Sequence, residues 1–309
     1  MRLASVDDHC PAIVSDDEVL LLNDQLPQIM SVPAPWRMIT LIQNWLEIQG
    51  ALDLATAPRR ALSSARLRAP VLRPAKLLCA QVSFREGIAD AHIAPNFFLK
   101  SSTSVIGPGD TVELPAVDAR VFHHEAELAV VIGSRCHNIP PEKAMDHVFG
   151  YTCFMDISAR GVGPGTSFQD KSYDTFGPMG PWIVTRDEIA DPHALRVKLW
   201  VDGEQRHDYP MSDIGNPIPA MIAYASTIAA LEPGDVLAMG VNHQGLGPIQ
   251  AGDTVRIEIA PIGGFEVKVA DDRGRRWRRG IDMGAAAAVR RVVAGEPVGT
   301  IEFAPRLDL

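Results

Sequence analysis

Cysteine is scarce in this chain and follows no pattern. The four residues, Cys10, Cys79, Cys136 and Cys153, show no C-x-x-C spacing, which argues against a thiolate metal site and against a disulfide scaffold. With no basic and apolar leader ahead of them, they are read as reduced thiols in a cytoplasmic protein. Long apolar runs are also lacking: none approaches the roughly 18 to 20 residues that a membrane span requires, so no membrane partner is expected. Positive charge is in deficit. Against 38 Asp and Glu stand 29 Lys and Arg, a formal net charge of -9, and the phosphate backbone of a nucleic acid would be repelled.

What is present is an ordinary globular composition, 46% hydrophobic and 22% charged, in a chain long enough for one large domain with a smaller appendage. Residues 1–70 read as a small α+β domain, with Met38, Ile39, Ile42, Trp45 and Leu46 at helical spacing. An extended connection carrying Pro70 and Pro74 leads into a main domain over 71–309. There a Gly-Asp turn recurs before alternating runs, in "GPGDTVELP", "EPGDVLAMG" and "QAGDTVRIEIA". Asp202-Gly203 marks a hairpin, "PIPAMIAYASTIAALEPGD" reads as a helix, and "GAAAAVRRVVAGE" as a short one. The fold class expected is α+β, mainly β.

The stretch "VFHHEAELAVVIG" carries the first chemical signal. Read as a strand, it puts Glu125, Glu127 and His123 on one face, although an unpaired buried charge is costly. Asp156 follows in the strand-like "GYTCFMDISAR". Three carboxylates brought together repel one another unless a cation joins them, and all-oxygen ligation suits Mg²⁺, Mn²⁺ or Ca²⁺. Spacing alone leaves a solvated strand face open as the other reading.

Six blocks in order, "FFLKSSTSVIGPGD", "HEAELAVVIG", "GYTCFMDISAR", "KSYDTFGPMGPWIVT", "MIAYASTIAALEPGDVLAMG" and "GDTVRIEI", resemble the fumarylacetoacetate hydrolase family over roughly residues 71–270. The resemblance implies a mixed β-sheet roll or barrel, with Glu125, Glu127 and Asp156 holding Mg²⁺ or Mn²⁺. It also implies Arg160 as a clamp for a substrate carboxylate and Lys171 as a point charge for developing anion. Members act on small oxo-carboxylates or 1,3-dicarbonyls and are commonly homodimers, so cleavage of a carbon-carbon bond beside a carbonyl is the leading expectation.

The chain departs from that pattern where hydrolytic members carry N-Y-x-x-H and a following Glu. Ser83, Phe84, Gly87 and Asp90 stand at those positions, so the usual general base is absent there. His92 and His243 are the candidate substitutes. The loss keeps decarboxylation, enol-keto isomerisation of a dienoate from aromatic catabolism, and a catalytically weak metabolite-binding member as alternatives. Gly163 replaces a Gln expected three residues after Arg160, and "GVNHQGLG" alters a G-T-P loop. His123 and His124 are expected beside the ligands rather than among them. "DDRGRRWRRG" reads as a solvated hairpin or subunit contact, and "GVGPG" lacks the lysine of a phosphate loop.

Overall fold

All three Gly-Asp turns are built in one way. Gly109, Gly234 and Gly252 take φ between 76° and 89°, the left-handed region that glycine enters freely. The Asp carboxylate then turns back to accept from the backbone N–H three residues earlier: Gly107 to Asp110 at 2.8 Å, Glu232 to Asp235 at 2.7 Å and Gln250 to Asp253 at 3.1 Å. Asp202-Gly203 likewise closes the Arg196–Val201 and Glu204–Pro210 hairpin with both residues at positive φ, as a type I′ turn requires.

In this computed structural model, which describes residues 1–163 and 166–307, these turns join two large sheets. Pro164 and Gly165 of the "GVGPG" loop lie outside the described residues. The larger sheet has 12 strands, and its hydrogen-bonded path runs Arg59–Ala61, Glu18–Leu21, Cys10–Ser15, Arg2–Val6, Gly177–Thr185, Val148–Met155, Ala126–Ile132, Val236–Ala238, Leu77–Ala80 and Phe97–Lys100. Strands of the first 70 residues thus continue this sheet by pairing Arg2–Val6 with Gly177–Thr185. The second sheet has five strands, Glu204–Pro210, Arg196–Val201, Thr254–Ala260, Gly263–Ala270 and Thr111–Glu113.

Residues of Ala126–Ile132 and Val148–Met155 are buried throughout, so alternation sorts their side chains between two cores rather than between core and water. Leu128, Val130, Tyr151 and Cys153 pack toward the five-stranded sheet with Val197, Leu199 and Ile257. Ala129, Val131, Phe149 and Phe154 pack on the opposite face with Met38, Leu41 and Ile42. The helix expected around Met38 forms as two pieces, Arg37–Gln43 and Trp45–Ile48, with Leu46 87% exposed. The later helices appear at Ile218–Ile228 and Met283–Val293. No described helix is long and apolar enough to cross a membrane.

The arginine-rich stretch is solvated only in part, at Arg273, Arg278 and Arg279. Trp277 is fully buried and its indole N–H donates to Arg120 O at 2.6 Å, while the buried Arg275 donates to Asp271 and to Val117 O. The packing of Trp277 against Phe122 supplies the apolar area that pulls the segment inward.

Candidate metal centre and active site

The strand expected over residues 121–133 is interrupted. Val121–His123 pairs with Ser158–Arg160, Ala126–Ile132 pairs with Val148–Met155, and Glu125 sits in the break. Across from it, Asp156 and Ile157 form the matching break, closed by Asp156 N–H donating to Glu125 O at 2.9 Å. Pleat parity in the continuous strands puts Glu127 on the face of Ala129 and Val131, and Asp156 on that of Phe154. Glu125, two residues before Glu127, lies in the break beside them, its carboxylate within reach of both.

Carboxylate oxygens of Glu125, Glu127 and Asp156 lie within 4.8 Å of one another, with the three residues 3%, 1% and 1% exposed. Glu127 Oε2 accepts from the Gly240 N–H at 2.7 Å, and its Oε1 has no partner although buried. Gly240 is required for that contact: it holds φ 85°, and a Cβ there would stand 2.0 Å from Ser83 Oγ. An orphaned carboxylate oxygen beside two further carboxylates, in an all-oxygen donor set, fits a hard divalent cation.

Three basic side chains surround the triad. Lys171, at the end of the Ser167–Lys171 helix, donates to Glu125 Oε2 at 2.8 Å and Asp156 Oδ2 at 2.6 Å. Lys100 donates to Asp156 Oδ1 at 2.7 Å and to Lys171 O. Arg160 pairs with Glu125 Oε1, which also accepts from Ser158 Oγ at 2.7 Å. The chain bend at 156–157 is what brings Arg160 to the site, since a straight strand would carry it about 13 Å away.

The charges divide the carboxylates. Burial would raise Glu125, but Lys171 and Arg160 outweigh it and hold its carboxyl well below the ordinary range. Burial, then the charges of Asp156 and Glu125, push Glu127 well above it. Burial would lower the Lys171 ammonium, yet Asp156 and Glu125 raise it. Glu127 is therefore the triad member whose charge most needs a further cation.

Beside the triad, His243 Nδ1 lies 2.7 Å from Glu86 Oε1, and the His243 backbone N–H donates to the same carboxylate. A carboxylate oxygen accepts, so this contact suits the ring with Nδ1 as donor, and Nε2 is the ring nitrogen not engaged by Glu86. Gln244 Nε2 holds the other Glu86 oxygen at 2.9 Å. His243, Glu125, Arg160 and Lys171 line one cavity of about 140 Å³. His92 is exposed in the 91–96 segment and does not line that cavity; the segment is held away by Asn216 Nδ2 donating to Ile93 O at 2.7 Å.

Sequence reasoning missed Glu86 and Lys100. The "FFLK" block offered a signal for Lys100, a lysine at the end of an apolar strand, because a buried ammonium needs carboxylates nearby. Glu86 depends on a backbone φ of 55°, for which the sequence carries no marker. His123 meets the site through Arg160, whose Nε is 3.4 Å from its Nδ1, while its Nε2 is 3.0 Å from Asp282 Oδ2. His124 is buried with neither ring nitrogen bonded, against His207 at 5.0 Å between ring centroids.

Residues 76–270 match the family described as fumarylacetoacetate (FAA) hydrolase C-terminal. A maleylpyruvate hydrolase of Aquipseudomonas alcaligenes is 33% identical over 87% of this chain and 99% of its own length. Among solved structures, the maleylpyruvate hydrolase of Sphingobium sp. SYK-6 in complex with manganese(II) and pyruvate superposes with a TM-score of 0.80 at 37% identity, over 88% of this chain and 99% of the other. A 5-carboxymethyl-2-hydroxymuconate delta-isomerase from Mycobacterium smegmatis gives a TM-score of 0.72 at 31% identity, over 88% and 100%.

Proposed function

Because the chain belongs to the fumarylacetoacetate hydrolase family, we propose that it hydrolyses the carbon-carbon bond between the two oxo groups of a 2,4-dioxo acid, an acylpyruvate. The observation that carries this reading is one cavity lined by a triad carboxylate, Glu125, by two of its basic partners and by His243, whose Nδ1 is held from behind by Glu86. Glu125, Glu127 and Asp156 would hold Mg²⁺ or Mn²⁺, and the relative that binds manganese and pyruvate supports that choice. When bound, the cation supplies Lewis-acid polarisation of the substrate's carbonyl oxygens.

The remaining work belongs to the chain's own groups. Arg160 presents a planar fork to the substrate carboxylate. His243 Nε2 takes a proton from water, with Glu86 fixing the tautomer and stabilising the imidazolium. The water oxygen bonds to the C4 carbonyl carbon, the C3–C4 bond breaks, and its electron pair moves to C3. Lys171 and Arg160 face the anion that develops. The proton held by His243 goes to C3, so the products are pyruvate and the carboxylic acid of the acyl group. Supplying the base from the 243 loop answers the absence at Gly87 and favours hydrolysis over isomerisation.

The test is incubation with Mn²⁺ and acetylpyruvate in ¹⁸O-water. Pyruvate together with singly labelled acetate supports the proposal; an unchanged carbon count with only enol-keto exchange, or release of carbon dioxide, removes it. A homodimer in solution is part of the same reading and rests on the family resemblance, so sedimentation at monomer mass would remove that element alone.

A further inference from the structure

The cavity has a second wall, and it carries no charge. Besides Glu125, the lining includes Ala285 and Val289, then Ile301 and Phe303. The first two are four apart on the Met283–Val293 helix and therefore share a face. The cations of that helix, Arg290 and Arg291, are exposed and do not line the cavity. Both basic side chains that do line it, Arg160 and Lys171, are paired with Glu125 and are the groups assigned above to the pyruvyl carboxylate and the developing anion, which leaves neither for a second carboxylate. The polar Gln81 at the rim has its side-chain oxygen taken by Asn96 at 3.1 Å.

This wall is fixed in place. The buried Asp282 caps the helix by accepting from Ala285 N at 3.1 Å, and its second oxygen accepts from Ala304 N at 2.8 Å and lies 3.0 Å from His123 Nε2. One carboxylate thus ties the helix, the returning 302–304 segment and the strand of the metal centre together. Gly284 allows the return segment to lie flat on the helix start, since a Cβ there would stand 1.7 Å from Glu302 O.

We infer that the substrate's acyl group is an uncharged, apolar chain and that the 282–304 segment selects it against acyl groups ending in a second carboxylate. This rests on the hydrolase reading for the reaction, but the selection itself is a property of the wall. A distal carboxylate would lose its water against Val289, Ile301 and Phe303 with no free cation to receive it. Each added methylene would instead be transferred from water to an apolar surface, worth about threefold to fourfold in affinity. The reaction releases pyruvate and a monocarboxylic acid, so an enzyme that supplies this substrate must leave an alkyl or aryl ketone next to the pyruvyl unit.

The experiment uses the Mn²⁺-loaded protein with 2,4-dioxopentanoate, 2,4-dioxoheptanoate, 2,4-dioxononanoate and the diacid 2,4-dioxoheptanedioate. Pyruvate release gives kcat/KM and titration calorimetry gives affinity. The expected result is a rise along the monoacid series and at least tenfold poorer use and binding of the diacid than of 2,4-dioxoheptanoate. Val289→Arg, or Ile301→Lys should the first fail to fold, is expected to narrow or reverse that ratio. Turnover of the diacid as good as that of the matched monoacid overturns the inference and leaves the hydrolase reading standing. Binding that follows the tail with no pyruvate released keeps the inference and overturns the hydrolase reading. Absence of both preference and turnover overturns both.

Discussion

The two walls of the cavity are built by different means. The carboxylate wall comes from the centre of the large sheet, where Ala126–Ile132 and Val148–Met155 are hydrogen-bonded on both sides and buried throughout. Its charges are held by one another: Lys100, Lys171 and Arg160 against Glu125 and Asp156. The apolar wall comes from a terminal helix and a return segment beyond residue 270, where the family match ends. It is held by one carboxylate and one close backbone approach. The charged groups are thus seated at a paired break flanked by the central ladder, and on the inference above the shape of the substrate is read by an element that sequence change can remodel without disturbing that ladder.

The sharpest way to break this contrast is to remove charge from the rigid wall. A Glu125→Ala, Glu127→Ala double substitution is expected to lower Mn²⁺ affinity at least about 100-fold, since loss of partners merely beside metal ligands already costs about 10-fold to 100-fold. Calorimetric titration reads it, and parental affinity in the variant would remove the metal assignment. Next in size is His243→Gln, with kcat for acetylpyruvate expected to fall about 100-fold to 10,000-fold while Mn²⁺ affinity stays within a factor of a few. If metal affinity fell in parallel with kcat, His243 would be acting on the metal centre rather than on water.

The rigid wall was largely legible in the sequence, and the reason is physical. Carboxylates inside apolar stretches have few explanations, and Glu125, Glu127 and Asp156 announce themselves by being expensive there, whereas Lys171 was picked out only by the resemblance of its block to the family. The three Gly-Asp turns were legible because their backbone geometry demands those residue types. The kink at 124–125 was not legible: pairing between Asp156 and Glu125 decides it, and that contact spans 31 positions. Glu86 stayed hidden for a similar reason, since its partner His243 comes from a loop 157 residues away. The apolar wall was seen as a short alanine-rich helix, yet nothing in "GAAAAVRRVVAGE" says which cavity its face closes. Asp282, a single acidic residue before that helix, reads as an ordinary cap until the structure shows the other two groups it holds.

Breaking the apolar wall should give a smaller and different effect. Asp282→Ala leaves Ala285 N, Ala304 N and His123 Nε2 without their acceptor, and losing buried hydrogen-bond partners costs about 1 to 3 kcal/mol. Urea unfolding should show a loss of that order. KM should rise more for 2,4-dioxononanoate than for 2,4-dioxopentanoate, and Mn²⁺ affinity should be unchanged. An equal rise for both acids would mean that the segment does not read the tail.

An effect confined to acid pH concerns His207, which is buried and has neither ring nitrogen bonded, in contrast to the carboxylate-bound His243. Burial first, then the proximity of His243, lowers its pKa to about 3. The unfolded chain takes up a proton there near the ordinary value of about 6.5 while the folded chain does not, so stability falls as pH drops below that value. Each pH unit costs about 1.4 kcal/mol until the folded pKa is reached, so about 2 kcal/mol is lost between pH 6.5 and pH 5. His207→Leu removes the group and should flatten the difference between urea midpoints at pH 7 and pH 5 by that amount. A variant that keeps the parent's full acid sensitivity would show that the folded protein protonates His207 without penalty, and that its surroundings hold more water than their burial implies.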